Sequence, residues 1–141
     1  MARTNDIYEL IDHTADTGVR VFGRSMAELF ERTAFAMFDI MVDAAGVQPV
    51  LEREFACRSD SIEELLVDWL NSVLYVFDTE HIVFSRFRVV LDGSCLEARA
   101  YGEHYDPVRH AVTSLVKAAT YHRLRVRHTD AGYTATVIFD T

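Results

Sequence analysis

Apolar residues recur at helical spacing in two stretches of the chain, and both stretches open on the same kind of phrase. Ser25-Met26-Ala27-Glu28 and Ser61-Ile62-Glu63-Glu64 each carry Ser-x-x-Glu just ahead of an apolar run. This is the capping-box pattern, in which the serine oxygen accepts a first-turn N–H and the glutamate reaches back to the serine N–H. Beyond Ser25, the residues Met26, Leu29, Phe30, Ala34, Met37, Phe38 and Met41 recur at i, i+3, i+4 and i+7 and predict a helix with a wide apolar stripe. Beyond Ser61, Ile62, Leu65, Trp69, Val73 and Phe77 trace a similar stripe, widened by Leu66, Leu70 and Leu74. The second helix is therefore expected to be deeply buried, with Asp78-Thr79-Glu80 as its exit and turn.

Elsewhere the apolar period is two, the signature of strands. Val19 and Val21 alternate with Arg20 and Phe22, and Phe87, Val89 and Leu91 alternate with Arg86, Arg88 and Val90. Asp92-Gly93-Ser94 then turns the chain into a returning strand whose inward face is Leu96, Ala98 and Ala100. From Val116 to His128 one long alternation sets Val116, Ala118, Thr120, His122, Leu124 and Val126 against a basic face of Lys117, Tyr121, Arg123, Arg125 and Arg127. On this pattern His122 is expected among core residues. A last strand places Tyr133, Ala135, Val137 and Phe139 together and runs to Asp140-Thr141, while Asp106-Pro107 suits the start of a short helix or turn. Strands grouped around two long helices, without regular βαβ alternation, predict a two-layer α+β domain over residues 1–141: a mixed, mostly antiparallel sheet against two main helices.

Composition narrows the function. Half of the 141 residues are apolar and 26% are charged, an ordinary globular balance. The net charge of −8 disfavours a chain that grips nucleic acid strongly by itself, since such binders carry a basic surplus. It suits a basic protein surface or cations instead. Cys57 and Cys95 have no CxxC spacing, so both are expected as buried thiols in a reducing cytoplasmic setting. No apolar run approaches the ~20 residues that cross a bilayer.

The sequence shows no Gly-rich phosphate loop, no Gly-x-Ser-x-Gly elbow and no His-Glu-x-x-His helix, and nothing pairs a nucleophile with a base. Catalysis by this chain alone is therefore not expected. Asp12-His13-Thr14-Ala15-Asp16 sits between two strand-like stretches, where its carboxylates and carbonyls could offer hard oxygen ligands to Ca²⁺, Mg²⁺ or Mn²⁺. Alternatively, they accept backbone N–H bonds in a turn. If the last strand lies beside the first, Asp140 and the carboxylate of Thr141 would join Asp16 in one acidic site. A second polar concentration, Glu103, Asp106, Arg109 and His110 followed by Lys117 and His122, could contact phosphate or the acidic groups of a partner.

The chain resembles the archease family. The phrases that carry the resemblance are His13-Thr14-Ala15-Asp16, Leu65-Leu66-Val67-Asp68-Trp69-Leu70-Asn71, Leu74-Tyr75-Val76-Phe77-Asp78-Thr79-Glu80, Arg109-His110, Val116-Lys117-Ala118 and Val137-Ile138-Phe139-Asp140. They occur in order over nearly the whole chain. The resemblance implies a non-catalytic partner of the GTP- and manganese-dependent RNA-splicing ligase, promoting ligase guanylylation and multiple turnover. It implies a divalent-metal site at Asp16, Asp140 and Thr141, and partner contacts at Arg109, His110 and Lys117. The family's Lys-His pair stands here as Arg109-His110, and a more usual Asp-Ile ending as Asp140-Thr141. Two rivals remain: a folding modulator acting through an apolar surface, and a metal-dependent phosphohydrolase.

Overall fold

The computed structural model describes residues 7–11 and 17–141. Strands β1 (Tyr8–Ile11) and β2 (Thr17–Gly23) lead into helix α1 (Met26–Val42), followed by a short 3-10 turn at Ala44–Gly46 and strand β3 (Leu51–Arg58). Helix α2 (Ile62–Glu80) precedes β4 (Ile82–Asp92), β5 (Cys95–His104), β6 (Ala118–Ala119), β7 (Arg125–Thr129) and β8 (Gly132–Asp140). The α+β class expected from the sequence is correct. The strands divide between two sheets: β1-β2-β8 with β6 and β7 both beside β8, and β3-β5-β4. Every strand pair is antiparallel.

Both helices start where their serines predict. Ser25 Oγ accepts the Glu28 N–H and Ser61 Oγ accepts the Glu64 N–H, each at 3.1 Å. The returning half of the box differs, because the Glu28 carboxylate takes the Arg24 N–H, one residue ahead of the cap. α2 runs through Asp78-Thr79-Glu80 and ends only at His81, whose left-handed φ of 59° caps it. The expected turn at those three residues is thus the helix's last turn. Continuous i→i−4 bonding there needs no breaker until His81, whose N–H closes on the Phe77 carbonyl.

The predicted apolar stripes form the core. Leu29, Phe30, Ala34, Met37, Phe38 and Met41 of α1 are fully buried, as are Leu66, Trp69, Leu70 and Val73 of α2. The Trp69 ring meets Phe55 and Phe87 edge-on, and its indole N–H donates to the Phe30 carbonyl at 3.1 Å, tying α2 to α1. Asp39, also buried, accepts the Tyr8 hydroxyl at 2.7 Å and the Ala44 N–H at 2.9 Å, so one carboxylate joins β1, α1 and the 3-10 turn. Glu31 of α1 takes the Val89 N–H on β4 at 2.9 Å. Partial burial raises its pKa against the lowering effect of that bond.

Three local expectations change. The alternation from Val116 to His128 is not one strand. β6 pairs with β8 as far as Ala119↔Phe139, and β7 resumes at Arg125↔Thr136. Residues 120–124 therefore face only 137 and 138, and the surplus turns outward, with Arg123 at φ 54° and the Leu124 N–H bonded to the Tyr121 carbonyl. His122 is consequently exposed, not in the core. Cys57 is only half-buried and Cys95 is exposed, because Cys95 begins β5 at the hairpin tip on the outward side; both are free thiols. Among the described residues, no helix is long and apolar enough to cross a membrane.

Gly102 marks the tightest point of the three-stranded sheet. It pairs with Phe84 next to the register slip between Phe84 and Arg86. A Cβ there would lie 1.9 Å from the Val83 carbonyl oxygen and 2.8 Å from Phe84 Cα, both backbone atoms that cannot swing aside. Gly46, by contrast, has open space around it. Gly102→Ala should therefore lower unfolding stability by about 3 kcal/mol in urea titration, whereas Gly46→Ala should stay within about 0.5 kcal/mol of the parent.

Candidate functional site

Two polar centres lie at opposite ends of the segment that joins β5 to β6. The first is built on Glu103, which β5 carries just after Gly102. Its carboxylate accepts Arg109 Nη1 at 2.9 Å, the Gln48 N–H at 2.7 Å and His110 Nε2 at 3.0 Å, with Arg109 Nη2 closing a fork. His110 Nδ1 accepts the Asp106 N–H at 2.8 Å, which assigns the ring proton to Nε2, facing Glu103. The Arg109 guanidinium, helped by the Gln48 and His110 donors and opposed by burial, holds the Glu103 carboxyl down to about 2. Asp106-Pro107 forms a turn rather than a helix, with Asp106 Oδ1 accepting the Val108 N–H.

This cluster changes the reading of Arg109-His110. His110 is 1% exposed and spends both ring nitrogens inside the chain, so it positions the loop and offers no surface to a partner. Arg109 keeps about half of its side chain in solvent while bound to Glu103. Further along the loop, Thr113 ties back to α1 by its N–H to the Met41 carbonyl and its hydroxyl to the Ile40 carbonyl. Held at both points, the loop presents Val108, Val112 and Leu115 to solvent, with Val108 92% exposed.

The second centre is the end of β8. β8 lies between β2 and β6, so the last strand pairs with the second and not with the first. Thr17 faces Phe139, and Ala118 faces Asp140. The Lys117 N–H donates to the Asp140 carbonyl at 2.8 Å, bringing two residues singled out in the sequence to one corner. Among the described residues, the side chains of Asp140 and Lys117 have no partner. Asp12 to Asp16, and with them the Asp16 member of the expected metal set, lie outside the described residues; among the described residues, no three His, Cys, Asp or Glu side chains converge.

Sequence reasoning missed Asn71 as a structural part of this corner. From α2, its amide donates to the Ala119 carbonyl at 3.3 Å and accepts the Ala119 N–H at 2.8 Å. One side chain thus stands in for a strand neighbour on the free edge of β6. The signal was an amide side chain, beside Ser72, set between the apolar Leu70 and Val73 of the α2 stripe.

A small α+β domain with two antiparallel sheets, two helices and a polar corner at the last strand is the class defined here. The Archease protein family (MTH1598/TM1083) matches residues 8–141. Protein archease of Sulfurisphaera tokodaii is 38% identical over 135 residues, covering 94% of this chain and 97% of its own length. Protein archease of Methanosarcina mazei is 38% identical over 138 residues, covering 94% of each. The solution structure of Methanobacterium thermoautotrophicum protein 1598 superposes with a TM-score of 0.86 at 35% identity, over 97% of this chain and 100% of that one. A Thermotoga maritima archease described as a possible chaperone shares the fold, with a TM-score of 0.64 at 22% identity over 93% of this chain and 94% of that one. The chain belongs to the archease family.

Two outcomes follow for these centres. A folded pKa of about 2 against an ordinary 4.5 means that Glu103 stabilises fully above pH 4.5, and that this contribution is lost as pH falls towards 2. Glu103→Gln should cost about 1–2 kcal/mol at neutral pH, discounted because Arg109 is half in solvent, and should flatten the acid limb of stability against pH. Asn71→Ala should leave the Ala119 N–H and C=O unpaired, cost about 1–3 kcal/mol, and speed amide exchange at Ala119 more than in the centre of β8.

Proposed function

We propose that this protein is a non-catalytic accessory factor of a GTP- and Mn²⁺-dependent RNA-splicing ligase, promoting guanylylation of the ligase and its repeated turnover. The observation that carries this reading is the archease family match over residues 8–141. In support, the end of β8 presents an exposed Asp140 carboxylate, without a partner among the described residues, next to Thr141. β2 begins beside it, at Thr17 opposite Phe139. With Asp16, which directly precedes β2, these oxygens would make a hard-ligand site for a divalent cation such as Mn²⁺, Mg²⁺ or Ca²⁺.

At this corner the cation would supply positive charge to a phosphate or carboxylate of the partner. The chain's own residues do the rest. Asn71 fixes β6, β6 fixes the end of β8, and Lys117 stands beside Asp140 as a second positive group for an anionic partner surface. Arg109 offers the exposed half of its guanidinium, and His110 supports it from within.

A second reading, a chaperone-like folding modulator, is favoured by the exposed Val108, Val112 and Leu115 on an anchored loop and by the description of the Thermotoga maritima archease. One experiment separates the two: the host ligase is incubated with GTP, Mn²⁺ and this protein, and guanylylation is followed. Asp16→Ala and Asp140→Ala should each cut stimulation by at least tenfold while leaving the thermal midpoint unchanged. Full stimulation by both variants, with loss in Val108→Ser/Leu115→Ser, would give the function to the apolar loop instead.

A further inference from the structure

Charge is segregated along this chain. The segment from Pro107 to Thr129 holds five of the 14 bases and none of the 22 acids. The remainder, with nine bases against all 22 acids, is far more negative than the net −8 suggests. Arg20, Arg53, Arg99 and Arg109 each hold a carboxylate within the chain. Among the described residues, Lys117, Arg123, Arg125 and Arg127 hold none, and all four are exposed.

The register gathers part of this charge onto one surface. Arg125 and Arg127 are alternate residues of β7, so their side chains share the outward face, about 6.7 Å apart along the strand. Arg125 faces Thr136 of β8, which faces Arg20 of β2; Arg127 faces Thr134, which faces Phe22. The opposite face of these strands is the core, with Val19, Val21, Ala135 and Val137 buried. Two parallel rows therefore cross the outside of the sheet: Arg125, Thr136 and Arg20, whose guanidinium is held by Glu9 of β1, and Arg127, Thr134 and Phe22. Phe22 and both threonines remain partly exposed.

We infer that this face of the five-stranded sheet is a track for single-stranded RNA. Guanidinium groups fork onto phosphate oxygens, and the threonine hydroxyls add neutral donors. Phe22, in line with Arg127, gives an unpaired base an apolar ring to stack on, which a sheet face can do and a duplex does not allow. An acidic peptide would use the arginines but would have no use for a stacking ring at the end of the Arg127-Thr134 row. The acidic remainder of the chain repels the same polymer, so affinity is modest and steeply dependent on salt, in keeping with the expectation of no strong binding by the chain alone. The choice of RNA over other single strands rests on the ligase reading.

The test uses the full chain without any ligase, so its failure leaves that reading standing. Anisotropy of a short fluorescent oligoribonucleotide of mixed sequence is followed at several low salt concentrations. The parent protein should bind, and Arg125→Gln/Arg127→Gln should weaken binding at least tenfold. That variant should also flatten the slope of log K against log salt by about 1.4, the value for two lost single-strand phosphate contacts. Arg86→Gln/Arg88→Gln, the same change of charge on the other sheet, should bind like the parent. Phe22→Leu should weaken binding without altering the salt slope. No binding by the parent at low salt would overturn the inference, as would equal losses in the two arginine pairs. Tighter capture of polyglutamate than of RNA, lost in the same β7 variant, would transfer the face to an acidic protein.

Discussion

No backbone ladder joins the two sheets of this protein among the described residues, so the molecule depends on apolar burial across α1 and α2. α1 packs on β2 and β8 of one sheet and on β4 of the other, and α2 reaches β3 on one side and β6 on the other. Phe38 sits at the junction, with the rings of Phe77, Phe84 and Phe87 within 6.1 Å of its own. Each such side chain contributes about 1.5–3 kcal/mol by leaving water. Burial alone is non-directional, and the indole bond from Trp69 to Phe30 and the Asp39 contacts to Tyr8 and Ala44 select one arrangement from many.

Polar groups at the edge of this core set what reaches the surface. Glu103 is drawn almost out of solvent by Gly102, which lets β5 run close against β4, and it then needs Arg109, His110 and Gln48 to satisfy it. The loop that supplies those partners is thereby fixed, and its apolar residues face outward because their neighbours are bound inward. At the other end, Asn71 holds the outer edge of a two-residue strand whose inner edge is bonded to β8. Both candidate surfaces, the loop around Val108 and the corner at Asp140, are thus consequences of buried hydrogen bonds. Loss of either buried partner would loosen the surface it supports.

Net charge proved a coarse guide to surface chemistry. The −8 of the whole chain argues against nucleic acid, yet the arginines of β7 form a strip with no ion pair among the described residues. Long-range repulsion from the acidic remainder and short-range contact at the strip act together, and their balance moves with salt because the first is screened over roughly 8–10 Å. Arg125 and Arg127 were visible as a basic face in the alternation. Their alignment with Thr136, Arg20, Thr134 and Phe22 was not, since it depends on how β7, β8 and β2 are registered.

By itself the sequence determined both helices, the core stripes, the hairpin at Gly93 and the α+β class, because capping, turn and periodicity signals act within a few residues. It also carried the family, through ordered phrases spread along the whole chain. Tertiary structure decided the rest. It broke the Val116–His128 alternation, since five residues had to fit opposite two, and this carried His122 out to solvent. It turned His110 from a candidate contact into a buried support, because only the fold shows which donors converge on Glu103. It set β8 against β2, a pairing that brings Thr17 to Phe139 across more than a hundred residues and that no local pattern encodes.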